Sequence, residues 1–462
     1  MREGAAPVVY KFGGSSLGDA DRIRHVARLI ARGPRPLVVV VSAMAGVTSE
    51  LQTLVDSTSD LETSAERSDD PVGALRSRHA DVLAAVGADD EATRSALEDR
   101  LAALRRTVSE EAGLGDDKRR ADAILAAGED LAQLVVRAVL EAEGVPSAAV
   151  DARDVLVTDD HFGNAAPDPE RTRAACERRI VPVLGTSGVT VVQGFVGATP
   201  QGRTTTLGRG GSDFSAAILG GALEAASVHV WTDVAGILSA DPRYVDHPRL
   251  LTEIGFEELV ELAWAGARVI HPVAAKWAVA EGVPLTIRDT FAPEEPGTRV
   301  RHDVRDAAEI AAVTAKAGVA LIKVRSHPAA LPYGFLARVF GVLGRHRLEV
   351  DLVATSHSST AFTIDDRSDL EEVAAELGTF AEVEVTSGLA TITVVGRGLL
   401  AEPGVGGQVF AVVGDTPVHL VSQASDVSSS LVVDGEESEA LTRRLHARLI
   451  GPAPADSTRR TA

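Results

Sequence analysis

The chain has a single cysteine, Cys176, in 462 residues, so no intrachain disulfide can form and a reduced, cytoplasmic setting is expected. No other Cys or His clusters around it in sequence, and the thiol reads as structural. Positive charge is scarce: 46 Lys and Arg face 66 Asp and Glu, a formal net charge of -20. That balance argues against nucleic acid or an anionic membrane surface as a partner. No apolar run approaches the roughly 20 residues that cross a bilayer. A strand begins too close to the N-terminus for a signal peptide of roughly 15 to 30 residues, so none is expected. The string GxxxxGK followed by Ser or Thr is missing, which removes the usual P-loop, and GxGxxG is missing, which removes the dinucleotide fingerprint. No Ser-His-Asp or paired-carboxylate pattern demands a general base.

What the chain does have is two glycine-rich strings, VVYKFGGSS at its start and TTTLGRGGSDFSAA near its middle, each where a strand should turn into a helix. In the first, Val8 and Val9 precede Gly13 and Gly14. A helix follows, with Ile23, Val26, Ala27 and Ile30 at helical spacing, Asp19 as cap and Gly33-Pro34 as stop. Glycines there bring backbone N–H groups close to a ligand, and Lys11 adds positive charge, which together suit a nucleotide phosphate. A tight turn after a buried strand fits the same residues. In the second string Arg209 lies among Gly208, Gly210 and Gly211, presenting a guanidinium suited to a bidentate grip on a carboxylate. Ser212 and Asp213 read either as ligand contacts or as a helix cap. Thr232 and Asp233 end a strand, where open α/β sheets bind ligands. Asp241-Pro242-Arg243 reads as a turn or as a phosphate contact.

The length suits two or three domains of roughly 100 to 200 residues. Up to about residue 302 strands and helices alternate. The strands are read at 37–44, 180–185, 188–195, 227–233 and 284–290, often continuously apolar as in a covered parallel sheet, and 50–145 reads as mostly helical around an exposed polar stretch at 57–72. Residues 318–386 then parse as strand, helix, strand, strand, helix, strand, a ferredoxin-like βαββαβ unit. A second copy starts at 391 and lacks its sixth strand, which the segment EIAAVTA (309–315) is expected to supply, so that the first unit is inserted in the second. The tail 452–462 has no apolar periodicity and is expected to be disordered.

The strings KFGGSS, SAMAGVTSE, GEDLAQ, DARDVLVTDDHFGNAAPD, QGFVGATPQGRTTTLGRGGSD, WTDVAGILSADPR, GARVIHP and IRDTFAPEEPGT together, in order and over the full length, resemble the aspartokinases of the amino acid kinase superfamily. The pairing of GRTTTLGRGGSD with an initial KFGGSS separates that family from glutamate 5-kinase, acetylglutamate kinase and uridylate kinase relatives. The resemblance implies an α/β amino acid kinase fold, an open, mostly parallel sheet between helices over residues 7–302. Two ferredoxin-like ACT domains would follow, the first at 316–386, inserted, and the second at 305–315 plus 387–451.

It also implies ATP- and Mg2+-dependent phosphorylation of the L-aspartate side-chain carboxylate to 4-phospho-L-aspartate, with a homodimer or homotetramer as the assembly. By position Lys11 matches the lysine at the transferring phosphoryl group, Gly13, Gly14 and Ser15 the phosphate loop, and Asp213 the partner that positions Lys11. Thr48, Glu129, Arg209 and Ser212 match the aspartate contacts, with Glu129 at the ammonium and Arg209 at the α-carboxylate. For Thr48 and Glu129 the residues alone suggest only a capping Thr and an acid in a first helical turn, Glu129 being placed at a helix start. Thr232, Asp233, Leu238, Arg243, Arg268 and Val269 match the nucleotide side, where Leu238 replaces the family's usual tyrosine and Arg268 its lysine.

The stretch SHPAALPYGFLARVF resembles the lysine-binding loop of lysine-inhibited members. Phe335, Leu336, Val350, Asp351, Thr355 and Ser356 are retained as effector residues, while Ala329, Pro332 and His357 depart from the pattern, so inhibition by lysine is expected to be weak or absent. Two other readings stay open: a catalytically idle amino-acid-sensing partner, and a superfamily kinase for another amino acid.

Overall fold

A computed structural model describes residues 5–59, 70–109, 117–266, 270–301, 310–326, 333–346, 348–356, 358–366, 370–397, 399 and 404–451. The chain divides into two compact units, Met1–Gly236 with Val269–His302, and Ile237–Arg268 with Asp303–Ala462. The segment from Ile237, expected inside the 7–302 region, thus packs in the second unit together with the C-terminal part.

The first unit opens with β1 (Val8–Phe12), α1 (Ala20–Arg32), β2 (Leu37–Val41), α2 (Val47–Ser59), α3 (Pro71–Val86), α4 (Glu91–Ser109), α5 (Asp117–Ala142) and β3 (Ala148–Val150). It continues through α6 (Pro169–Ser187), β4 (Val189–Gln193), β5 (Val196–Ala198), β6 (Thr204–Thr206), α7 (Gly211–Ala222) and β7 (Ser227–Thr232). The chain then enters the second unit for β8 (Glu253–Gly255) and α8 (Phe256–Trp264), and returns for α9 (Pro272–Ala280), β9 (Leu285–Asp289) and β10 (Thr298–Arg301).

Within this unit the strand order is β3-β4-β2-β1-β7-β9-β10. Every neighbouring pair is parallel except β9 with β10. All five residues of β2 are fully buried, which its unbroken run of Leu and Val required of a strand covered on both faces. From β1 the chain builds outward first through β2 and then, on the other side, through β7. The carboxyl ends of these strands are therefore a topological switch point, where open α/β sheets place ligands.

Two local expectations are corrected. The segment 180–185 is helical, inside α6, with Ile180 and Leu184 buried one turn apart in line with Ala175 and Cys176. That stripe at helical spacing, and not the short apolar run, decides its conformation. Glu129 lies mid-way along the 26-residue α5 and not at a helix start. The preceding glycine serves close packing: a Cβ on Gly128 would stand 2.9 Å from the Cβ of Ala43 and 3.1 Å from Cδ1 of Leu51. Asp19 does cap α1, accepting from Arg22 N–H at 2.9 Å.

In the second unit, β11 (Ala312–Ser326), α10 (Phe335–Arg345), β12 (Val353–Thr355), β13 (Ser359–Asp365), α11 (Leu370–Gly378) and β14 (Ala381–Val395) are followed by α12 (Val405–Val413), β15 (Val418–Ser425), β16 (Ser428–Asp434) and α13 (Ser438–Leu449). One antiparallel sheet runs β12-β13-β11-β14-β16-β15. Its central strands β11 and β14 are 15 residues each and serve two cores. Residues 319–326 and 381–386 pair beside α10 and α11, whereas 312–317 and 390–395 pair beside α12 and α13. The break between the two halves is a register shift between Ala317 and Leu321. Among the described residues no helix is long and apolar enough to cross a membrane.

Candidate active site

A cavity of about 940 Å³ opens in the first unit, and its wall includes Lys11, Thr48, Glu129, Arg209, Ser212 and Asp213. Four separate stretches of chain thus converge: the end of β1, the start of α2, the middle of α5, and the glycine string that leads into α7. Lys11 Nζ meets Asp213 Oδ1 at 2.6 Å, with both side chains mostly shielded from solvent. Glu129 is 3% exposed; its Oε1 accepts from Ala43 N–H at 3.1 Å, and its Oε2 has no hydrogen-bond partner among the described residues. Burial pushes its carboxyl up to about 8, opposed by the bond from Ala43. Arg209, by contrast, is exposed, and Thr48 is exposed in the first turn of α2.

Gly208 and Gly210 both take left-handed φ, 74° and 69°, and so turn the backbone on either side of Arg209. At Gly210 a Cβ would in addition overlap the His271 side chain. Gly210→Ala is therefore expected to destabilise the protein by about 2–4 kcal/mol through the positive φ and the overlap together. Urea unfolding at constant m value measures it, and a midpoint equal to that of the parent would contradict this account.

Among the described residues, the other expected ones do not line this cavity. Gly13, Gly14 and Ser15 follow β1, with Gly13 N–H to Trp231 C=O at 3.4 Å, and do not line the cavity. Thr232 ends β7 and donates to Asp233 Oδ1 at 3.2 Å. Leu238 and Arg243 belong to the second unit, and Arg243 is tied back to Asp241, Nη2 to Oδ2 at 2.5 Å, as in a turn. Arg268 and Val269 lie outside the described residues.

Of the effector residues, Asp351 Oδ2 meets Lys316 Nζ at 2.6 Å, and Lys316 also meets Asp365 at 2.8 Å. Phe335 packs edge-on against Phe380, Leu336 is exposed, Val350 is half-buried, Thr355 is exposed in β12 and Ser356 bonds Ser359 Oγ at 2.7 Å. Ala329, Pro332 and His357, on which the expectation of weak lysine inhibition rests, lie outside the described residues, as do 60–69 of the polar stretch and the tail 452–462.

Sequence reasoning passed over several residues here. Asp122, Lys118, Asn164 and Phe195 also line the cavity. Phe195 holds φ 65°, rare for a bulky side chain, and its C=O accepts from Leu207 N–H at 2.9 Å. Next to Glu129, Asp130 takes a bidentate grip from Arg153, 2.9 Å on each oxygen, and a further bond from Gln193 Nε2 at 2.9 Å. This network pins α5 to the β4 side of the sheet. Its sequence signal is the polar Gln193 at the end of a buried, mostly Val strand.

A model of the amino acid kinase family matches residues 6–289, and a model of the ACT domain matches 392–449. Lysine-sensitive aspartokinase 3 of Escherichia coli (strain K12) is 33% identical over 451 residues, covering 96% of this chain and 99% of its own.

The chain belongs to the aspartokinases.

Among solved aspartokinases, E. coli aspartokinase III in complex with aspartate and ADP, described as the R-state, matches with a TM-score of 0.83 and 33% identity over 96% of this chain and 99% of that one. The same enzyme in complex with lysine and aspartate, the T-state, matches with a TM-score of 0.79 and 32% identity over the same shares. As an aspartokinase, the chain is a kinase, and neither the idle-sensor reading nor that of a kinase for another amino acid is favoured.

Proposed function

We propose that the cavity of the first unit holds L-aspartate and presents its side-chain carboxylate to the γ-phosphate of ATP. The convergence of Lys11, Glu129, Arg209, Ser212 and Asp213 on one cavity carries the reading. The exposed Arg209 guanidinium takes the α-carboxylate in a bidentate grip, and the buried Glu129 carboxylate takes the ammonium. Thr48 and Ser212 add hydroxyl contacts. Lys11, steadied by Asp213, neutralises charge on the transferring phosphoryl group.

The side-chain carboxylate is ionised at neutral pH and is itself the nucleophile. One carboxylate oxygen bonds to the γ-phosphorus as the bond from that phosphorus to the β–γ bridging oxygen breaks. ADP leaves, and 4-phospho-L-aspartate, an acyl phosphate, remains. Positioning and charge neutralisation are what such a transfer asks of a protein.

Gly13, Gly14 and Ser15 at the end of β1, with Thr232 and Asp233 at the end of β7, are the residues we assign to the nucleotide. Among the described residues no group of three or more His, Cys, Asp or Glu side chains would hold a metal ion. Mg2+ accordingly fits here as an ion carried on the nucleotide phosphates, where it would offset their charge. The second unit, with its ACT match, is read as the seat of an amino-acid effector. The lone buried cysteine suits a cytoplasmic setting. A homodimer or homotetramer is the assembly we assign by resemblance.

Arg209→Ala tests the substrate assignment. In steady-state ADP formation it is expected to raise KM for aspartate by about 10- to 100-fold, as loss of a charge-assisted bidentate contact does, with KM for ATP unchanged. An unchanged KM for aspartate would remove Arg209 from the site.

A further inference from the structure

We propose that Asp122 is a positioning residue for aspartate recognition, fixing the Arg209 loop and the Asn164 turn to the helix that carries Glu129. The proposal rests on the reading of the cavity as the aspartate site. Asp122 lies on α5 seven residues before Glu129, and at about 100° per residue that is nearly two full turns, so both carboxylates share one face of the helix. It is 1% exposed.

Its two oxygens take three donors from two other stretches of chain. Oδ2 accepts from Thr206 N–H at 2.9 Å and from Gly163 N–H at 3.0 Å, and Oδ1 accepts from the Thr206 hydroxyl at 2.7 Å. Thr206 is the last residue of β6, three before Arg209. Gly163 directly precedes Asn164, whose side-chain oxygen lies 2.7 Å from where a Cβ on Gly208 would stand. The two stretches are also tied to each other, Ala165 N–H to Thr206 C=O at 2.9 Å. One carboxylate therefore sets the spacing between the ammonium-binding and carboxylate-binding sides of the cavity. Burial pushes the Asp122 carboxyl up, and the three donors oppose that shift.

A buried carboxylate that only stabilised the fold would fit the same contacts, so the test needs readouts that such a role leaves alone. Asparagine at position 122 can keep every bond: its amide oxygen accepts the two N–H groups, and its amide nitrogen donates to the Thr206 hydroxyl, which reverses its role. Alanine keeps none.

In the full-length enzyme, Asp122→Ala is expected to raise KM for aspartate about 10- to 100-fold, while KM for ATP stays within about threefold. Asp122→Asn should restore KM for aspartate to within about threefold of the parent, and Thr206→Val, which loses one donor, should fall between. Equal rises in KM for both substrates, a loss of thermal stability with unchanged KM for aspartate, or an Asn variant as impaired as Ala would each overturn the proposal. Should the Ala variant not fold, Thr206→Val decides: a raised KM for aspartate alone supports it, and a parental value overturns it. An unmodified enzyme inactive on aspartate would instead defeat the reading of the site.

Discussion

Lys11→Met is expected to lower kcat by about 100- to 1,000-fold with KM for aspartate within about threefold of the parent, because the ammonium acts on charge that develops only as the phosphoryl group moves. Geometry makes the residue suited to that work. Lys11 leaves β1 at the switch point of the sheet, and its 2.6 Å contact with Asp213 fixes the ammonium before nucleotide arrives, so little reorganisation is needed during transfer. Methionine keeps the length of the stem and removes the charge. It also leaves Asp213 as an uncompensated anion close to the incoming phosphates, which adds repulsion to the lost attraction. The double variant Lys11→Met with Asp213→Asn should then recover part of the ATP affinity and of the thermal stability, but not kcat. Initial rates of ADP formation at saturating aspartate and ATP measure this, and a kcat near the parental value in the single variant would rule out the role given to Lys11.

The sheet and the glycine strings were legible in the sequence for definite reasons. A short, Val-rich apolar run such as Leu37–Val41 favours a strand covered on both faces, and glycines flanking a lone Arg mark a loop built to present it. Lys11 and Arg209 followed from residue chemistry, whereas Thr48 and Glu129 came only through the family resemblance, since a threonine and a glutamate in helical surroundings carry no signal of their own. Glu129 was placed at a helix start, whereas in the fold it lies mid-way along α5, and the preceding Gly128 is the small residue that lets the helix press against Ala43 and Leu51. The run at 180–185 read as a strand because the single interval it contains, Ile180 to Leu184, does not establish a period; the helical stripe shows once Ala175 and Cys176 are included. Asp122 was invisible for a plainer reason. Its three donors come from 41 and 84 residues away in sequence, and no local pattern records a contact of that range.

Glu129 gives the second large effect, and its sign follows from where its proton sits. Burial raises the carboxyl from 4.5 to about 8 in the unliganded protein, so at neutral pH most molecules hold it neutral. The substrate ammonium binds the ionised form, and its binding must expel that proton. KM for aspartate is therefore expected to fall as pH rises toward about 8, with a slope approaching tenfold per unit, and then to level. Glu129→Gln should abolish that slope and raise KM at pH 8 by about 100-fold, in the range seen when one partner of a buried charge pair is removed. Stability moves the opposite way in the absence of substrate. A carboxyl raised above its unfolded value favours the fold fully below about 4.5, and that contribution is lost as pH rises through about 8. The unliganded parent should therefore lose thermal stability relative to the Gln variant across that window, and saturating aspartate should return it by supplying the missing counter-charge. A KM independent of pH from 6 to 8, in an enzyme that otherwise turns over aspartate, would mean that Glu129 is not the group that meets the ammonium.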